Sequence, residues 1–167
     1  EMVSRGVMDG VTRVIGAHLW ADLPLGTVGV PSGAVTAAPD TFWITIRGKG
    51  SHAALPHNGI DPVPVACQMV QAFQTIVTRN KRPIDTAVIS VTMIHAGEAT
   101  NVVPDFCEIQ GTVRTFTTEV LDLVERRMKA IAESTCAAFE AGWRRDVTAI
   151  LTGDDARVVV TFGLQPI

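Results

Sequence analysis

The order of hydrophobic periods along the chain constrains its fold more than any other feature. Phe42, Ile44 and Ile46 alternate with Thr41, Trp43, Thr45 and Arg47, which predicts a half-buried strand closed by Gly48 and Gly50. Behind Asp61, a capping residue, and Pro62, a first-turn proline, Ala66, Met69, Val70, Phe73, Ile76 and Val77 recur at helical spacing, so a helix runs to about Arg79. From Thr86 to His95 the chain alternates again, with Ala87, Ile89, Val91 and Met93 on one face and Val88, Ser90, Thr92 and Ile94 on the other. From Asp105 to Phe116, Cys107, Ile109 and Val113 oppose Glu108, Gln110, Thr112 and Arg114. Thr118 and Glu119 open a second helix with a stripe of Leu121, Val124, Met128, Ile131, Thr135 and Phe139 that closes at Gly142, and Asp146 to Leu151 reads as a last strand. Strand, helix, strand, strand, helix, strand is the βαββαβ order of an α+β, ferredoxin-like layer: two helices on a four-stranded antiparallel sheet.

Before this unit, Val11 to Trp20 is a mostly apolar run that reads as a buried strand with His18 near its carboxyl end. Pro24, Gly26, Gly29, Pro31, Gly33 and Pro39 make the following stretch a connection. If its sheet neighbours are missing, Val11, Val14, Ile15 and Leu19 expose apolar surface. The role of Thr152 to Ile167 is not readable from pattern.

A net charge of −3 and the lack of any basic block interleaved with aromatics argue against nucleic-acid binding. Three widely spaced cysteines, Cys67, Cys107 and Cys136, form no CxxC and suggest a reducing cytoplasm. No apolar run has the length of a membrane span, and charges early in the chain argue against a leader, so no membrane partner is expected.

No two of the four histidines, His18, His52, His57 and His95, have the helical spacing of a zinc protease. His18 reads as a metal ligand or as a packed strand-end residue. His52, in GKGSHAALPH, reads either as a ligand-contacting loop histidine or as part of a turn made by its glycines, and no phosphate loop follows. Asn101 in GEATNVVPD and Arg114 on a polar sheet face could hold a carboxylate together if they converge; Arg114 is otherwise a solvated cation.

Taken together, GAHLW at His18, GKGSHAALPH at His52, DPV at Asp61, NVVPD at Asn101 and GTVRTF at Arg114 resemble, in this order, one family. It is that of the dinuclear-metal amidohydrolases that include hippurate hydrolases, aminoacylase-like N-acyl-amino-acid hydrolases and auxin-conjugate hydrolases. The resemblance covers about Met2 to Val147 and implies an α/β catalytic-domain remnant over residues 1–38, a lid or dimerisation domain over 39–151 and a divergent tail over 152–167. It implies that His18 is a metal ligand and that His52 reaches into a partner subunit's site to stabilise the tetrahedral oxyanion. Asn101 and Arg114, on the same basis, bind the substrate carboxylate.

The implied reaction is hydrolysis of an N-acyl amino acid by water activated on zinc or manganese, with a glutamate as base, in a homodimer formed through the lid. The family's other metal ligands and acidic pair have no counterpart here. The chain therefore reads as a fragment, inactive and without stable metal when alone. Two other readings stay open: a stand-alone dimerisation or small-carboxylate-binding module, and a small complete hydrolase built from His18, His52 and Asp61 or Glu98.

Overall fold

The computed structural model describes residues 3–139 and 158–163, which divide into two compact units, 1–35 and 36–167. In the second unit the chain forms β1 (Ala38–Arg47), β2 (Ser51–His52), α1 (Pro62–Thr75), β3 (Ala87–Ala96), β4 (Val102–Val103), β5 (Phe106–Thr115), α2 (Thr118–Phe139) and β6 (Val158–Gly163). Four of the strands build one sheet in the order β3-β5-β1-β6, with every neighbouring pair antiparallel, and β2 and β4 form a separate two-stranded ladder. This is the expected βαββαβ layer. Its fourth strand comes from within the tail, while the expected strand at 146–151 lies outside the described residues.

Alternation puts Phe42, Ile44, Ile46, Cys107, Ile109 and Val113 on the face that the helices cover, and all are buried. The Asp61 carboxylate caps α1 by accepting the Val63 N–H at 3.0 Å, and Pro62 fills the first turn, where its missing N–H costs nothing. Beyond Thr75 the helix loosens into a π-turn, Ile76–Asn80, and the Asn80 Oδ1 accepts from Arg127 of α2 at 3.0 Å. Phe42 and Phe73 meet edge to face at 6.2 Å and join the sheet to α1. Gly111 allows this packing, because a Cβ there would lie 2.6 Å from the Phe42 ring and 2.1 Å from the Ser90 carbonyl oxygen. Burial pushes the Cys107 thiol up to about 11, which leaves it a packing residue and not a nucleophile.

Four local expectations are corrected. The cap of α2 is Thr117, whose hydroxyl accepts the Val120 N–H at 3.4 Å; Thr118 is already helical. The buried stripe of α2 is Val120, Val124, Met128, Ala132 and Cys136, a strict i, i+4 row, and the expected Thr135 and Phe139 lie off it. In β3 an irregularity between Val91 and Met93 moves Met93 opposite Gln110 and Ile94 opposite Ile109, so the two exchange faces. The fourth correction falls in the first unit, where Val11 to Trp20 forms no strand. Val14, Ile15 and Leu19 are 71%, 93% and 95% exposed, because a strand needs a ladder partner and none of the described residues supplies one.

Candidate functional site

The segment that carries His52 is folded back on itself and pinned to the start of β5. Lys49 exchanges both backbone hydrogen bonds with Ile60 at 2.9 Å. A Cβ on Gly48 would sit 2.1 Å from the Ile60 carbonyl, and one on Gly59 would sit 2.5 Å from the Lys49 carbonyl. These glycines therefore serve close backbone packing. The next residues, Ser51 and His52, pair with Val103 and Val102, and the Ala53 N–H donates to the Asn101 carbonyl at 2.9 Å. His52 and Asn101, 49 positions apart in sequence, are thus held at the same end of one short ladder, both exposed.

The two histidines singled out in the sequence are held in opposite tautomers. The Ala54 N–H donates to His52 Nδ1 at 3.0 Å, so the neutral ring carries its proton on Nε2 and offers a hydrogen-bond donor outward. That is the group needed to stabilise a developing oxyanion. In the first unit His18 Nδ1 donates to the Leu19 carbonyl at 2.5 Å, with the ring set edge-on to Trp20 at 6.0 Å. The His18 Nε2 lone pair is then free, which is how metal-ligating histidines are usually oriented by a backbone carbonyl. A single ligand does not make a centre: among the described residues no three His, Cys, Asp or Glu side chains gather to hold a metal ion.

Arg114 lies elsewhere. It pairs with Pro39 and Val88 near the carboxyl end of β5, while the β2–β4 ladder adjoins the amino end, so about 27 Å of strand separates Phe106 from Arg114. The half-buried guanidinium uses Nη1 to donate to the Thr112 hydroxyl, to the Val113 carbonyl at 3.0 Å and to the Asp40 carbonyl at 3.5 Å. It is held along the sheet face opposite the helices and is not a freely solvated cation. Within one chain the structure brings His52 and Asn101 together and keeps Arg114 at the opposite end. Asp61, weighed as a carboxylate for catalysis, is engaged in capping α1.

Sequence reasoning missed Asp105. Its Oδ1 accepts the Gly50 N–H at 2.7 Å and its carbonyl accepts the Gly48 N–H at 2.7 Å, a role that only the fold reveals. Among the described residues no helix is long and apolar enough to cross a membrane.

Against known proteins, the family described as the peptidase dimerisation domain matches residues 40–140. An N-acyl-L-amino acid amidohydrolase of Geobacillus stearothermophilus is 48% identical over 144 residues, which are 84% of this chain and 39% of that protein. An N-acetyl-L-cysteine deacetylase of Bacillus subtilis is 47% identical over 139 residues, 83% of this chain and 33% of that protein. The solved structure of a B. subtilis dinuclear metal-binding peptidase from the M20 family superposes with a TM-score of 0.61 at 36% identity, covering 83% of this chain and 33% of that one. A solved structure from methicillin-resistant Staphylococcus aureus gives a TM-score of 0.72 at 30% identity, covering 83% of this chain and 36% of that one. The chain spans between a third and two fifths of the curated relatives named here.

Proposed function

The chain belongs to the M20 peptidase dimerisation-domain family, and from that premise we propose that it is the lid of a metal-dependent amidohydrolase whose two copies together cleave N-acyl amino acids. The observation that carries this reading is the division of the site. His52 and Asn101 sit at one end of β5 and Arg114 at the other. A two-fold axis that pairs the β3 edges antiparallel exchanges these ends, so the His52 and Asn101 of one copy face the Arg114 of its partner. In this arrangement Arg114, with its planar fork, takes the substrate carboxylate, Asn101 adds an amide contact, and His52 Nε2–H stabilises the oxyanion.

The surface chemistry supports the β3 edge as the pairing side. The outer face of α1 presents Pro64, Cys67, Gln68, Gln71, Gln74 and Thr75, without a single charge, and β3 beside it carries no Asp, Glu, Lys or Arg. The outer face of α2 instead presents Glu119, Asp122, Arg126 and Glu133. Depletion of charge is what distinguishes the centre of an interface from open surface. A substitution on that α1 face, Gln71→Arg, places like charges near the axis and is expected to weaken self-association by about tenfold or more with the monomer fold intact. Sedimentation equilibrium tests both statements: a dimer is expected for the native chain, and a native monomer at high concentration contradicts the reading.

In this reading residues 1–38 are the catalytic-domain remnant, 39–151 the lid, and 152–167 a tail that contributes the edge strand β6. The divalent ion, zinc or manganese, activates the attacking water when bound, and His18 would supply one ligand. The other ligands and the glutamate base are assigned to the part of the enzyme beyond the described residues. The wide spacing of Cys67, Cys107 and Cys136, with no CxxC among them, supports a cytoplasmic location.

A further inference from the structure

The ladder that presents His52 has only two residues on each strand, too few to hold a register unaided. Its support is local. Gly48 is tied to the Asp105 carbonyl, Lys49 to Ile60, Gly50 to the Asp105 carboxylate, and Ala53 to the Asn101 carbonyl. Every one of these bonds except the one from the Gly50 N–H to Asp105 Oδ1 is backbone to backbone, so that carboxylate is the only member of the set a side-chain substitution removes. The approach is close: a Cβ on Gly50 would lie 2.8 Å from Asp105 Oδ1 and 3.2 Å from the Val103 carbonyl oxygen.

We propose that Asp105 is a positioning residue for His52. By holding the Gly50 N–H, its carboxylate fixes the register of β2 on β4 and thereby the direction in which the His52 Nε2–H leaves the ladder beside Asn101. The inference rests on the oxyanion-stabilising role proposed for His52. Asp105 is exposed and lies outside the core, so its removal leaves the fold in place.

The test is amide hydrogen exchange together with long-range proton–nitrogen spectra of the His52 ring in the full chain. In Asp105→Ala the Gly50 and Ala54 amides are expected to exchange at least about tenfold faster, while the Ile44 and Ile109 amides stay protected. The His52 nitrogens should lose the pattern of the Nε2–H tautomer. Asp105→Asn, which keeps an Oδ1 acceptor, should restore both signals. Gly50→Ala, which displaces the carboxylate without removing it, should reproduce the alanine phenotype. In the assembled hydrolase kcat should fall about tenfold or more with KM held. Native exchange and native ring signals in Asp105→Ala would overturn the proposal, as would hydrolysis unaffected by Asp105→Ala but lost in His52→Ala. Hydrolysis unaffected by His52→Ala would instead overturn the role read for His52, and the exchange and ring data would still decide whether Asp105 holds the ladder.

Discussion

Truncating Phe42 to alanine is expected to destabilise the sheet-and-helix unit by about 3–5 kcal/mol. The ring is fully buried on β1, a strand with β5 on one side and β6 on the other, and it meets Phe73 of α1 edge to face. The cavity cannot close easily, because Gly111 beneath the ring has no side chain to swing into it. A domain of this kind has on the order of 5–15 kcal/mol of total stability, so the loss takes a large share. Urea unfolding followed by circular dichroism measures it. A change below about 1 kcal/mol would mean that the Phe42–Phe73 contact does not join the layers as described.

The largest functional effect is expected at His52. In the assembled hydrolase His52→Ala should lower kcat by roughly 10²–10³, with KM nearly unchanged, because the Nε2–H is needed in the transition state more than in the bound substrate. The imidazole is exposed, so the substitution leaves no core cavity. His57→Ala is the control. This second histidine of the same motif sits in the short turn Pro56–Asn58 and should be silent. Equal losses at the two positions would point to a general disturbance of the segment and not to a donor at Nε2.

Much of the fold was legible in the sequence, because the long elements carry clean periods. β1, α1, β5 and α2 each run ten residues or more with one buried face, β3 has one over its first half, and a period needs several repeats before it can be recognised. β2 and β4, two residues each, have no period, yet they assemble the end of the domain that bears His52 and Asn101. The irregularity in β3 was equally hidden, since Val91 to Ile94 alternate well enough either way and only the partner strand decides the register. Val11 to Trp20 shows the converse: its composition is strand-like, but without a ladder partner among the described residues it forms no strand.

The candidate site was legible by residue and not by geometry. His52, Asn101 and Arg114 could be singled out from their motifs, but their division between the two ends of β5 depends on strand order. The tautomers of His18 and His52 depend on whether Nδ1 meets a backbone carbonyl, as in His18, or a backbone N–H, as in His52.

Mixed-dimer complementation tests the division of the site most directly. His52→Ala and Arg114→Ala subunits of the assembled hydrolase, each nearly inactive, are mixed and allowed to exchange. In a mixed dimer one site then has both residues intact and the other has neither. With half the dimers mixed and one good site in each, about a quarter of native activity should return. Recovery to that level is the predicted result. No recovery above the separate variants would contradict the account, because it would place His52 and Arg114 in the service of the same subunit's site.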